Sequence, residues 1–149
     1  MEKIKRLFDI LDKYVSNHPV KNMLHSKQDG VWMAHTSSEV KELCYQMAAS
    51  LRRLGIQHHN FQPERQDKIG IIANNRTEWI LTDFATQYCG AILVPIYPSI
   101  TASEWEYIIN EAQISALFIS DKSIYRKVKL IRENTPCLKH IYSFDEIEG

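Results

Sequence analysis

Apolar positions along this chain repeat first at helical spacing and then in short continuous runs. Ile4, Leu7, Phe8, Leu11, Tyr14 and Val15 fall on one face of a helix. Residues 17–19 end it, because Pro19 disfavours helical geometry in the residue before it. Residues 22–27 and 31–35 are two short runs separated by Gln28-Asp29-Gly30, and Asp-Gly between such runs predicts a hairpin. Thr36 stands three residues before Glu39, the spacing of a capping box in which each side chain satisfies a backbone N–H of the other residue. The helix that follows buries Val40, Leu43, Cys44, Met47, Ala48, Leu51 and Leu54, and Gly55 stops it. Residues 56–66 are polar, include Pro63 and read as a loop.

From residue 67 onward strands and helices alternate. Residues 69–73 read as a buried strand. Asn75 and Glu78 form a second capping-box pattern, and Ile80, Leu81, Phe84, Ala85 and Tyr88 line a helix that stops at Gly90. Residues 91–97 are the second strand of this βαβ unit. Thr101 and Glu104 cap a helix that buries Trp105, Ile108, Ile109 and Ala112. Residues 114–120 are a third strand. Asp121 caps a helix through Ile124, Tyr125, Val128 and Ile131 that ends near Pro136, and residues 138–144 are a fourth strand. Continuous apolar strands alternating with helices predict a parallel sheet covered by helices on both faces, with right-handed crossovers. The expected class is α/β: an N-terminal helix and β-hairpin, then a largely parallel βαβαβαβ sheet. Residues 1–66 supply helix, hairpin and helix, and residues 67–149 the sheet, within one domain.

Charge changes this picture little. Lys+Arg and Asp+Glu number 18 each, and a net charge of zero argues against a dedicated nucleic-acid binder, whose affinity rests on neutralising phosphates. The basic run at residues 122–129 alternates with apolar residues at helical spacing and reads as a solvated helix face, with a functional patch as the alternative. Three widely spaced cysteines, Cys44, Cys89 and Cys137, give neither a disulfide framework nor a CxxC metal signature. Cys44 and Cys89 fall on apolar helix faces and are expected as buried free thiols in a reducing compartment. The chain starts without a signal-peptide core, and no run reaches the length of a membrane span. A soluble cytoplasmic protein is expected, with peripheral membrane contact and homo-oligomerisation left open.

Candidate chemistry is sparse. Ligands of open α/β sheets bind outside the carboxyl ends of the strands, here residues 74–77, 98–101, 120–123 and those after 144. The five glycines form neither GxGxxG nor GxxxxGK[ST], and no GxSxG elbow is present. Arg76 stands at the mouth of the first βα turn, where it can meet an anion or bond a neighbouring carbonyl or carboxylate. Trp79 in the next turn and Tyr97 at the end of the second strand are candidate pocket residues or packing residues. His58-His59 is adjacent rather than i,i+4, a poor spacing for one metal. The residues alone predict a soluble α/β domain with Arg76, Trp79 and Tyr97 as substrate-binding candidates, and no catalytic or metal-ligating residue.

The order of several short motifs adds a resemblance. Asp67-Lys68-Ile69-Gly70-Ile71 is followed by Asn75 with Glu78-Trp79, then Ala85, Gly90-Ala91 and Val94-Pro95-Ile96-Tyr97-Pro98. Upstream stand Gly30-Val31-Trp32 before Thr36, and Leu51-x-x-Leu54-Gly55-Ile56. Downstream stand Phe118-Ile119-Ser120-Asp121 and Ile141-Tyr142-Ser143-Phe144-Asp145. Together they span nearly the whole chain. The sequence resembles the N-terminal region of ATP-dependent acyl-CoA synthetases of the adenylate-forming superfamily, most of all the long-chain fatty-acid branch. The resemblance implies a two-step reaction. A carboxylate attacks the α-phosphate of ATP, releasing pyrophosphate, and the thiol of coenzyme A then attacks the acyl-adenylate, with Mg²⁺ offsetting phosphate charge.

The family's Ser/Thr/Gly-rich phosphate loop ending in Pro-Lys-Gly, its ribose-binding acid and its C-terminal lysine have no counterpart here, so no catalytic residue is carried over. Met1 reads as a natural start, and an end directly after a strand fits a truncation. The chain is expected to be an inactive N-terminal scaffold, a partial domain of a larger ligase. Its partners would be the missing adenylation core and C-terminal domain of the same polypeptide. ATP, Mg²⁺, coenzyme A and a fatty acid would belong to the parent, with none held by the fragment. The alternatives are a ligase for a different acid and a stand-alone α/β binding or regulatory domain.

Overall fold

The computed structural model describes residues 4–28 and 30–147. The chain forms two compact units, one of Met1–Ile56 with Arg76–Cys89 and one of Gln57–Asn75 with Gly90–Gly149.

The first unit contains α1 (Asp9–Asn17), β1 (Leu24–Gln28), β2 (Val31–His35), α2 (Ser37–Arg53) and α3 (Thr77–Cys89). Leu11, Val40, Cys44 and Leu81 form its buried centre, with Val15, Met23, Phe84 and Tyr88 packed around them. The hairpin pairs antiparallel from Leu24↔His35 to Gln28↔Val31. Asp29 of its expected turn lies outside the described residues. The Thr36 capping box forms: Thr36 N–H donates to Glu39 Oε2 at 2.7 Å, and Glu39 N–H donates to Thr36 Oγ1 at 3.1 Å.

Four expectations for the helices of this unit are corrected. The first helix starts at Asp9, so Ile4 and Leu7 stand outside it and are exposed. The reason is local: Asp9 Oδ2 accepts the N–H groups of Lys5 and Arg6 at 3.1 and 2.9 Å and its Oδ1 meets the Arg6 guanidinium at 2.7 Å, which folds residues 5–9 into a turn. Tyr14, expected on the apolar face, is also exposed. The Asn75–Glu78 capping box is not formed as read, because α3 starts at Thr77 and Arg76 takes the Glu78 carboxylate. Finally, α3 buries more than its expected stripe. Thr77, Thr82 and Thr86 are buried beside Leu81 and Ala85. Two of these hydroxyls are satisfied by back-bonding, Thr82 Oγ1 to Glu78 O and Thr86 Oγ1 to Thr82 O, both at 2.7 Å.

Cys44 and Cys89 are buried free thiols, as expected. Burial pushes the Cys44 thiol up to about 12 and also raises that of Cys89, whose Sγ–H donates to Ala48 O at 3.3 Å. Neither presents a thiolate, the reactive form. Cys137 is half-buried. Titration with Ellman's reagent is expected to find at most one reactive thiol in the native protein and all three in denaturant. Fast native reaction of Cys44 or Cys89 would contradict this packing.

The second unit contains β3 (Lys68–Ile72), β4 (Ile92–Ile96), α4 (Ala102–Glu111), β5 (Ile114–Ile119), α5 (Lys122–Ile131) and β6 (His140–Ser143). Its four strands are all parallel, in the order β4-β3-β5-β6. Trp105 and Ile109 of α4 join Ile124, Val128 and Ile131 of α5 in one buried cluster with Ile72, Ile96, Leu117 and Ile119. Both helices therefore pack on the same face of this sheet. Pro95 is tolerated because β4 is an edge strand. Ile92 N–H bonds Asp67 O at 2.9 Å, so alternation turns the Pro95 nitrogen to the outer side, where no ladder donor is needed. The Thr101–Glu104 capping box and the Asp121 cap both form as read.

The segment before β3 contains an irregular turn. His59, Asn60 and Phe61 have φ of 43°, 58° and 55°, in the left-handed region that side chains disfavour. The turn is held by the His58 ring stacked on Phe61 at 4.5 Å and by Asp67 Oδ2, which contacts His59 Nε2 at 3.2 Å and accepts Gln57 N–H at 2.9 Å.

Candidate functional site

The strand order of the second unit fixes where a ligand would approach. From β3 the chain goes to β4 on one side and then crosses to β5 on the other, so the connections diverge between β3 and β5. The crevice outside such a switch point is the usual ligand position of an open α/β sheet. Here it is bordered by Ala73, Asn74 and Asn75 after β3 and by Ser120 and Asp121 after β5.

The backbone ties this crest together. Ser120 N–H donates to Ile72 O at 3.0 Å, Phe144 N–H to Ile119 O at 2.9 Å and Asp145 N–H to Ser120 O at 3.1 Å. Asn74 and Asn75 are exposed, whereas Ser120 is buried. Asp121 Oδ1 accepts Ser123 N–H and Ile124 N–H at 2.8 and 3.1 Å. The first amides of α5 thus already hold a carboxylate, and a phosphate there would meet negative charge instead of open donors. At the start of α4, Glu104 Oε2 accepts Thr101 N–H at 2.8 Å, and this bond holds the Glu104 carboxyl below its ordinary range. The loop segments 73–76, 97–101 and 120–123 contain no histidine or cysteine. The crest can orient a group by hydrogen bonding, and within it the Ser120 hydroxyl donates to Asp121 Oδ2 at 2.5 Å.

The three candidate binding residues are engaged locally. Arg76 Nε donates to Glu78 Oε2 at 2.9 Å and its Nη2 to Oε1 at 3.2 Å, a two-point pair. That pair keeps the Glu78 carboxyl below its ordinary range. Trp79 is half-buried on the same turn, and its backbone N–H donates to Arg76 O at 3.2 Å. Tyr97 belongs to the other unit and is 75% exposed, while its carbonyl accepts the Trp105 indole N–H at 3.0 Å. The pairing of the β3 and β5 ends had no sequence signal, because strand order leaves no local pattern. Nor did the aromatic stack of Phe118 with Tyr142 and Phe144, at 5.3 and 5.7 Å.

This arrangement of sheet and helices is shared with known proteins. A family model described as AMP-binding enzyme matches residues 11–148. The chain belongs to the AMP-binding enzyme family. Among curated relatives, long chain acyl-CoA synthetase 5 of Arabidopsis thaliana is 28% identical over 99% of this chain and 22% of its own length. The long-chain-fatty-acid–CoA ligase ACSBG2 of Mus musculus is 31% identical over 86% of this chain and 18% of its own. The chain therefore spans about a fifth of the length of the curated relatives it matches. Among solved structures, the anthranilate CoA ligase AuaEII superposes with a TM-score of 0.76 at 22% identity, covering 97% of this chain and 26% of that one. A long-chain-fatty-acid-CoA ligase from Archaeoglobus fulgidus gives a TM-score of 0.75 at 17% identity, covering 96% and 28%. These similarities establish the α/β fold of this family member.

Proposed function

We propose that this chain is the N-terminal part of a long-chain fatty-acid–CoA ligase and acts there as scaffold, without activity of its own. The observation that carries the reading is a family match over almost the whole chain combined with coverage of only about a fifth of each relative. Relatives named for long-chain acyl substrates support the substrate class. ATP, Mg²⁺ and coenzyme A would be reagents of the whole enzyme. Asp121 already accepts the first amides of α5, which supports a reading in which no phosphate is held there. No step of the reaction is therefore assigned to this chain. Its role is to hold a sheet crest against which the adenylating part of the polypeptide packs. Arg76, Trp79 and Tyr97 remain, each taken singly, candidate substrate-binding residues. A cytoplasmic location, supported by the buried free thiols, belongs to the same proposal.

The test has two arms. The native reading frame should continue past Gly149 into a Ser/Thr/Gly-rich loop ending in Pro-Lys-Gly. A stop codon there would replace the ligase reading with that of a stand-alone domain. Incubated with ATP, Mg²⁺, palmitate and coenzyme A, the product of the longer frame should form acyl-CoA and the present chain should not. Turnover by the present chain would overturn its role as scaffold.

A further inference from the structure

We draw no further inference here: the strongest candidate, the outer edge of β6 at the end of the four-stranded sheet together with the stacked rings of Phe118, His140, Tyr142 and Phe144, carries nothing because nothing in the structure shows what covers it.

Discussion

Trp105→Ala is expected to destabilise the second unit by about 3–5 kcal/mol, the usual cost of removing a buried aromatic side chain. Trp105 is fully buried at the centre of the cluster that joins α4 and α5 to the sheet. Its indole N–H donates to Tyr97 O at 3.0 Å, fixing α4 to the end of β4 eight residues back in the chain. Lys127 Nζ lies 5.5 Å from the ring centroid, so the same side chain also touches α5. The alanine variant loses the apolar burial, leaves a cavity and gives up that hydrogen bond. Trp105→Phe keeps most of the volume and should cost about 1–2 kcal/mol, as the hydrogen bond and the outer ring are lost. Urea unfolding followed by far-UV circular dichroism measures both variants without relying on indole fluorescence. A loss below about 1 kcal/mol for the alanine variant would mean that Trp105 is not the centre of this core.

The elements that were legible in the sequence are those whose determinants are local. Thr36 with Glu39, Thr101 with Glu104, and Asp121 each place an oxygen within reach of the amides that follow, and all three caps form. The apolar runs around Ile69, Val94, Leu117 and Ile141 all become parallel strands. What failed depended on competition for a partner. Glu78 fits a capping box with Asn75 by spacing, but Arg76 offers its carboxylate a charged two-point contact. The apolar spacing that begins at Ile4 reads as helix, yet Asp9 gathers two preceding amides and the helix starts only there. The apolar stripe read for α3 left out its threonines, but back-bonding to the previous turn lets Thr82 and Thr86 be buried at little polar cost. The crest of the sheet was legible only as a set of loops. Which two loops border the switch point follows from the order β4-β3-β5-β6, a property of long-range pairing.

Gly90→Ala should cost about 2–5 kcal/mol, whereas Gly55→Ala should cost about 1–2. Both glycines follow a helix, and from sequence both read simply as helix stops. Both have left-handed backbone, with φ of +89° at Gly55 and +69° at Gly90, so each alanine carries the same conformational penalty. They differ in their surroundings. A Cβ on Gly55 would meet nothing within 4 Å. A Cβ on Gly90 would stand 2.7 Å from His58 Cβ and 3.0 Å from Phe61 Cε1, and the first of these atoms cannot swing away because it is anchored to the backbone. Relief requires the 57–61 segment to move, against the Gln66 amide that donates to Gly90 O at 2.7 Å and the Asp67 contacts that hold the left-handed turn. The difference between the two variants in urea midpoint, at unchanged slope, therefore isolates the close approach from the backbone term. Adding His58→Gly to Gly90→Ala removes the 2.7 Å contact and should recover more than half of that difference. Equal costs for the two single variants, or no recovery in the double variant, would mean that Gly90 is a helix stop and nothing more, and that the turn at residues 59–61 is not pressed against it.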